Sequence, residues 1–173
     1  MSFSQCKSSA ANNVNNRSLD DSISDYVSLK SSGVYKAQSG STIASPGVAS
    51  GQITDIYNIQ LLKTTQDVQP KVGDVFGFQF VFDHKSATTE AAADYTVPDS
   101  LQIRVEHPAM TNPKDGVALT SSQWQTPVRS GKAVWVGWYF EHDWEIVAGK
   151  WTFQVYDGDT VLVTRSFTIS KVQ

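Results

Sequence analysis

Apolar and polar residues alternate in short runs from about residue 33 onward, and Gly, Pro and Asp separate the runs. Alternation with a period of two is typical of β-strands that bury one face. The pattern predicts seven or eight strands and no helix longer than a turn or two. The predicted strands are residues 33–38, 51–63, 75–82, 100–106, an edge strand within 117–124, 132–140, and the two arms of a C-terminal hairpin. Short strands in this number favour an all-β, immunoglobulin-like antiparallel β-sandwich.

The segment 75–82 is the clearest internal strand because four phenylalanines share one of its faces. These are Phe76, Phe78, Phe80 and Phe82. Gly77 lies on the opposite face, where a glycine predicts either a close approach of neighbouring backbone or a β-bulge.

The C-terminal hairpin supplies the other half of the predicted core. Trp151, Phe153 and Val155 alternate with polar residues on its first arm. Asp157-Gly158 tolerates the positive φ values that a tight hairpin turn needs. We therefore expect Trp151 and Phe153 to face inward, opposite the four phenylalanines.

The second arm of this hairpin contains one inconsistency. Strict alternation from Phe167 places Arg165 on the inner face. A buried guanidinium without a partner is too costly to retain. We therefore expect either a bulge near residues 164–166 or a carboxylate partner at the margin of the sheet, with Glu145 and Asp143 as candidates.

The first 30 residues differ in composition from the remainder. They are rich in Ser, Asn and Asp and lack strand periodicity, and such segments bury too little apolar surface to fold by themselves. We predict a disordered or loosely attached N-terminal tail over residues 1–30 and a single sandwich domain over residues 31–173. Cys6 precedes a stretch rich in Ser and Asn, which is similar to the mature end of a bacterial lipoprotein. Cys6 is therefore a candidate lipid-attachment site, and an incidental thiol in a polar tail is the alternative.

Charge and cysteine content exclude several classes of protein. The chain has 17 acidic and 14 basic residues and a net charge of −3, which provides no basic footprint for nucleic acid. One cysteine excludes an internal disulfide and a multi-cysteine zinc site. No apolar run reaches the roughly 18 residues of a membrane-spanning helix. We expect neither nucleic-acid binding nor a membrane span.

One block of aromatic and glycine residues resembles a known family. The block is Phe140-x-x-x-Trp144-Glu145-x-x-x-Gly149-x-Trp151-x-Phe153, and it accompanies the Phe76-Gly77-Phe78-x-Phe80 strand and the His107-Pro108 pair. Together these residues resemble the uncharacterised bacterial family called domain of unknown function 3859, over about residues 33–170. The resemblance implies a small β-sandwich in bacterial, often exported, proteins. It implies no activity and no catalytic residues.

Each of the three histidines directly follows a carboxylate, a pairing that occurs in metal sites and in acid–base catalysis. If 75–82 and 100–106 are successive antiparallel strands, their C-terminal ends lie at opposite ends of the sandwich. On that topology His84 and His142 would share one end, with Asp83 and Asp143, whereas His107 would lie at the other. These four residues are the candidate metal ligands. The alternative, which we favour, is a set of solvated loop residues with no metal and no cofactor.

The aromatic residues form the second candidate site. The predicted strand 132–140 is apolar on both faces, so we expect it to be central or covered. Alternation separates Trp138 on one face from Trp135 and Tyr139 on the other, and one of these faces must be core. Trp124 and Trp144 lie in edge or loop context. The candidate ligand-binding rings are therefore Trp124, Tyr139 and Trp144, which would suit stacking on sugar rings.

These observations lead to a ranked set of functions. We predict a non-enzymatic binding or structural module of the bacterial cell envelope, periplasmic or tethered to the outer membrane. Its partner would be another envelope protein, bound through an edge strand or loops. The alternative is a carbohydrate-binding module that uses the exposed aromatics. A metal-dependent hydrolase built on His84 and His142 is the weaker alternative.

Overall fold

The computed structural model describes residues 20–83 and 94–171, which form two β-sheets packed face to face. The strands, numbered in chain order, are β1 Ser22–Ile23, β2 Val27–Ala44, β3 Gln52–Thr64, β4 Asp67–Val68, β5 Val75–Phe82, β6 Ser100–Thr111, β7 Ala118–Pro127, β8 Val134–Tyr139, β9 Gly149–Asp157 and β10 Thr160–Ile169. A 3-10 turn at Asp143–Glu145 lies between β8 and β9.

The strand order confirms the predicted antiparallel sandwich. One sheet has the order β1-β10-β9-β6-β7, with β4 also paired to β10, and the other has the order β3-β2-β5-β8. Every pair is antiparallel except that of β4 with β10. Eight strands have six residues or more, as predicted, and the described part of the chain adds two strands of two residues each.

The core lies between β5 of one sheet and the β9–β10 hairpin of the other. The Phe76 ring contacts the rings of Trp151 and Phe153 edge to face, at 5.6 Å between centroids in both cases. Edge-to-face contact is a favoured arrangement because the ring faces are negative and the ring edges positive. Trp151 and Phe153 have no exposed surface, so the predicted inward face of the hairpin is confirmed.

The prediction of a close backbone approach at Gly77 is also confirmed. Gly33, Gly77 and Gly137 lie side by side across β2, β5 and β8. A Cβ atom at Gly77 would lie 2.2 Å from the Val136 carbonyl oxygen, and one at Gly137 would lie 2.3 Å from the Trp135 ring. The glycine row thus provides room for the Trp135 indole on the outer face of this sheet.

Arg165 does point inward, and its partner differs from the ones we expected. It lies opposite Phe153, and the bulge in this hairpin falls between Val161 and Val163, not at residues 164–166. Its Nη1 donates to Asp21 at 3.0 Å and its Nε donates to the Ser32 hydroxyl at 3.1 Å. A carboxylate at the margin of the sheet therefore pairs with the guanidinium, which was the second of the two predicted alternatives.

Glu145 and Asp143 were the wrong candidates for that carboxylate. Glu145 accepts hydrogen bonds from Trp138 and His142, and Asp143 lies 4.0 Å from the Lys171 ammonium. Both residues belong to the turn after β8, whereas the Arg165 guanidinium meets the N-terminal segment at Asp21.

The sandwich also begins earlier than the predicted boundary at residue 31. Within the predicted tail, β1 pairs with β10 and the Val27 side chain is buried in the core. Asp21 also holds this segment against β10, because its carboxylate accepts the Ser166 backbone N–H at 2.7 Å. Residues 1–19, including Cys6, lie outside the described residues.

The placement of two edge strands bears on function. β7 is an edge strand of its sheet, as predicted, but β8 is also at an edge and not at the centre of a sheet. The sequence predicted that this strand is either central or covered, and the second alternative explains its apolar outer face. Trp135 on that face lies against the buried ring of Tyr35, at 4.7 Å between centroids.

Candidate functional site

A cleft of about 390 Å³ lies on the flank of the sandwich where β7 and β8 run along the edges of their sheets. Its volume is within the range of about 300–1,000 Å³ that is typical of ligand sites. Three segments line it, namely the outer half of the β2–β3 hairpin, the end of β7 and most of β8. The lining residues are Ser41, Ile43, Val48, Ser50, residues 52–56, residues 124–127, Trp135, residues 137–139 and Glu141.

The hairpin reaches the cleft because β2 and β3 are longer than their neighbour β5. β2 pairs with β5 only as far as Tyr35, and beyond it residues 38–56 continue as a two-stranded hairpin arm. The turn of this arm contacts β7, where the Gln123 N–H donates to Gly47 at 2.8 Å and the Ala49 N–H donates to Ser122 at 2.9 Å. These contacts close one end of the cleft.

The arm is also bonded to the segment after β8. The Glu141 carboxylate accepts hydrogen bonds from the Gln52 amide at 2.6 Å and from the Thr54 hydroxyl at 2.5 Å. The arm is therefore fixed at both β7 and Glu141, and the cleft is formed before any ligand enters.

The outer edge of β8 faces into this cleft. The Phe140 N–H donates to Asp74 at 3.1 Å, on the β5 side. Because hydrogen-bonding direction alternates along an antiparallel pair, Val136 and Trp138 also bond β5. The N–H and C=O groups of Trp135, Gly137 and Tyr139 consequently point away from β5, and β8 has no other strand partner among residues 20–83 and 94–171.

The two facing edges are protected to different degrees. Proteins protect edge strands with charged residues, proline, bulges or covering loops. β7 ends in Pro127, which has no N–H, and the arm turn covers its edge at Gln123. β8 has the sequence VWVGWY, without a charge or a proline. Of the two, β8 is the edge open to strand pairing.

Behind the cleft, a buried carboxylate holds one of the lining rings. Trp138 donates its indole N–H to Glu145 at 3.1 Å, and His142 Nδ1 lies 2.9 Å from the other Glu145 oxygen. Glu145 is 1% exposed. Burial raises the pKa of its carboxyl above the ordinary value, and the bonds from His142 and Trp138 oppose that rise without cancelling it.

Comparisons with known proteins assign the chain to a family. A model of the family described as "Domain of unknown function (DUF3859)" matches residues 24–169. The chain belongs to this family. The match confirms the resemblance seen in the sequence, and the family description assigns no activity. No helix in the part of this family domain that the structure describes is long and apolar enough to cross a membrane.

The fold of this DUF3859 domain occurs in a solved structure. An immunoglobulin-like protein from Pseudomonas aeruginosa is similar, with a TM-score of 0.55 and 19% sequence identity over 83% of this chain and 96% of that one. At that identity the likeness shows the fold alone. None of the curated proteins compared with the chain matches it.

Two of the three aromatic candidates lie together in the cleft. Trp124 and Tyr139 both line it, and Trp124 packs against Trp138 at 6.3 Å between ring centroids. Trp144 is elsewhere, half-buried in the 3-10 turn and stacked on His142 at 5.6 Å. Trp135 is a lining residue that we did not select, although its apolar strand position was a signal for a covered surface.

The proposed metal ligands do not converge. β5 and β8 are antiparallel, so Asp83 at the end of β5 lies at the opposite end of the sheet from His142 and Asp143. His84 lies outside the described residues. The expectation that His84 shares an end with His142 therefore stays a prediction.

His107 is the histidine at the His142 end of the sandwich, contrary to the expected separation. Its ring lies 6.0 Å from that of Trp138, its Nε2 lies 3.0 Å from the Ser122 hydroxyl, and its Nδ1 lies 2.9 Å from the Pro108 carbonyl. Burial lowers the pKa of His107, against a smaller opposing effect of the bond to Pro108. Both ring nitrogens therefore have partners within the protein.

A different group places three ligand-type atoms close together. One atom each of Glu141, His142 and Glu145 lie within 4.8 Å of one another. Both carboxylates already accept hydrogen bonds from Gln52, Thr54, Trp138 and His142. These bonds make the group a structural cluster that joins the arm to the turn after β8.

Proposed function

We propose that this domain is a non-enzymatic binding module that takes an extended polypeptide segment as an additional strand on the free edge of β8. The observation that carries the proposal is an edge without charge or proline whose outward backbone groups face a pre-formed cleft. Edge addition gives affinity through backbone hydrogen bonds and specificity through side-chain pockets. An enzymatic role would need a catalytic group in the cleft, and the proposal assigns none.

The cleft dimensions fit a short segment. Three residues of β8, Trp135, Gly137 and Tyr139, direct backbone groups toward the ligand, and they span five positions. At about 3.3 Å per residue, this corresponds to a ligand stretch of about five residues. Alternate ligand side chains would point toward Trp124 and Trp138 on the inner side and toward Trp135 and Tyr139 on the outer side.

A carbohydrate ligand is the second candidate, favoured by one specific observation. Trp124 and Tyr139 line the same cleft as the side chains of Gln52 and Gln125. Aromatic faces beside amide groups suit stacking and hydrogen bonding to a sugar. A sugar, however, would make no use of the alternating backbone groups of β8, so the two ligands make different demands on the site.

We also propose that the module acts outside the cytoplasm of a bacterium, where its partner would be another envelope protein. The support is the Ser/Asn-rich stretch after Cys6, together with the export that the family resemblance of the sequence implies. Metabolic labelling with a fatty-acid analogue tests the lipid at Cys6, with Cys6→Ser as the control. Absence of label on the protein expressed in a bacterium would contradict lipidation.

Selection from a library of displayed peptides tests the binding proposal. We expect peptides that bind the full chain and compete with one another. Trp124→Ala should weaken their binding at least about tenfold, as buried aromatic anchors do. Trp144→Ala is the matched control, a half-buried tryptophan away from the cleft, and it should leave binding unchanged. Folding of both variants is checked by circular dichroism.

Binding of a sugar in place of a peptide would contradict the proposal. A glycan that binds the chain, loses binding in Trp124→Ala and is accompanied by no bound peptide would overturn strand addition in favour of carbohydrate recognition.

A further inference from the structure

The charged residues that line the cleft are all acidic. Asp55 and Glu141 contribute carboxylates, and no lysine or arginine occurs in the lining. Charge of one sign in a partly enclosed cleft attracts the opposite charge and repels its own. The cleft therefore selects against an acidic ligand.

Neither carboxylate is neutralised by the part of the protein that the structure describes. Glu141 accepts bonds from the uncharged Gln52 and Thr54, and no ion pair is formed by Glu141 or Asp55 among residues 20–83 and 94–171. Each carboxylate oxygen can accept more than one hydrogen bond. Both groups are thus able to accept a donor from a ligand.

Both acidic residues belong to the part of the lining next to the Tyr139 end of β8. Glu141 follows Tyr139 by two residues. Asp55 directly follows Thr54, whose hydroxyl is bonded to Glu141, and alternation along β3 directs the Asp55 side chain to the face of the arm opposite that of Thr54. A segment paired with β8 would therefore meet the acidic groups at the Tyr139 end and the aromatic rings of Trp124 and Trp135 along its length.

We propose that the occupant of the cleft is an extended segment of a partner protein that carries a lysine or arginine at the Tyr139 end of β8, where the two acidic residues of the lining, Asp55 and Glu141, attract the cation. This inference rests on the proposed function of the β8 edge and adds the chemistry of the partner to it. A second copy of this chain, with a net charge of −3, has the wrong overall charge for the role. Tyr139 also lines the cleft, and the face of an aromatic ring attracts a cation.

Peptide selection on the full chain tests the proposal directly. We expect the selected peptides to combine alternating apolar residues with one basic residue at a fixed terminal position. Binding should weaken as salt is raised, because salt screens exposed charges. Replacing the basic residue of the peptide by methionine should weaken binding about three- to fivefold, the range for a partly exposed ion pair.

A double-mutant cycle then assigns the cation to its partner. Asp55→Asn should weaken binding of the basic peptide about three- to fivefold and should remove most of the effect of the methionine replacement. Asp159→Asn is the matched control, because Asp159 is an exposed aspartate in the β9–β10 turn, far along the chain from the cleft lining. It should change nothing. Both substitutions lie on exposed positions, so folding is preserved.

The outcomes separate this inference from the function on which it rests. Peptides that bind, lose affinity in Trp124→Ala and show neither a basic position nor an effect of Asp55→Asn would overturn the cationic partner and leave the β8 site standing. Failure of any peptide to bind would overturn the β8 site and the inference together.

Discussion

Arg165 is an inward-facing charged residue that binds the N-terminal segment to the sandwich. Its guanidinium bonds Asp21, and the same carboxylate accepts the Ser166 N–H and the Gln66 side-chain amide, each at 2.7 Å. Two of these bonds attach the N-terminal segment to β10, and the third attaches it to Gln66, which directly precedes β4. The Asp21 side chain is 31% exposed, so solvent weakens this ion pair without replacing it.

Asp21→Ala should therefore lower the free energy of unfolding by about 1–2 kcal/mol, because it leaves Arg165 without its charge partner. Asp20→Ala is the control one residue away, exposed and expected to cost less than about 0.5 kcal/mol. Chemical denaturation of both variants measures the difference. Equal effects of the two substitutions would show that Asp21 does not anchor the segment.

Glu145 makes a second residue-level prediction, through pH. A carboxyl whose pKa is raised in the folded state binds its proton more tightly there than in the unfolded chain. Its contribution to stability is fully present below the unfolded-state pKa, about 4.3, and is lost as pH rises through the raised folded-state pKa. Burial is the main cause of this shift.

Glu145→Gln removes the titration and keeps the shape and an acceptor for Trp138. The free energy of unfolding of the natural protein, minus that of Glu145→Gln, should fall as pH is raised above about 4.3. Urea denaturation from about pH 4 to about pH 8 measures it. If the difference in the free energy of unfolding between the natural protein and Glu145→Gln stays constant from about pH 4 to about pH 8, the pKa of Glu145 is not raised.

At the scale of elements, the β9–β10 hairpin is the part of the fold that the sequence predicted best. Alternation of apolar and polar residues was sufficient, since burial of one face is a local property of a strand. The turn was displaced by one residue, to Gly158-Asp159, where Gly158 has φ +54°. The partner of Arg165 was missed because Asp21 is 144 positions away and no local pattern connects the two.

Trp151 is the central side chain of this hairpin, and its loss should leave the domain marginal. It has no exposed surface, and its indole N–H donates to the Val147 carbonyl at 3.1 Å. Trp151→Ala should cost about 3–5 kcal/mol, against a total stability of about 5–15 kcal/mol for a domain. Tyr57→Ala removes an aromatic ring that is 49% exposed and should cost less than about 0.5 kcal/mol. Comparable losses in the two variants, measured by denaturation, would place the core elsewhere.

β8 shows where element-level reasoning leaves two alternatives open. Its apolar residues on both faces are typical of a central strand, yet it lies at an edge beside a cleft. The glycine row and the Tyr35 ring accommodate Trp135, and both Trp135 and Tyr139 line the cleft. All of these features depend on pairing between distant segments of the chain. The sequence could identify Trp124 and Tyr139 as candidate rings. It could not show that they share one site, because β7 and β8 meet only through the packing of two sheets.

At the scale of the whole molecule, the proposed binding site lies where two sheet edges converge under one hairpin arm. The arm is fixed at Gly47 and at Glu141, β7 is protected by Pro127 and by the arm turn, and β8 is left open. An open, uncharged edge is a hazard for aggregation unless something covers it. The position of β8 inside a cleft limits access to an extended segment of suitable shape, which is the property of a selective binding site.

Amide hydrogen exchange of β8, measured residue by residue by NMR with and without a selected peptide, tests this claim most directly. In the free protein the amides of Trp135, Gly137 and Tyr139 should exchange faster than those of Val136 and Trp138, which bond β5. Saturation with peptide should slow the first three and leave the other two nearly unchanged. If Trp135, Gly137 and Tyr139 are already protected in the free protein, or stay unprotected when the peptide is bound, then β8 does not receive a strand.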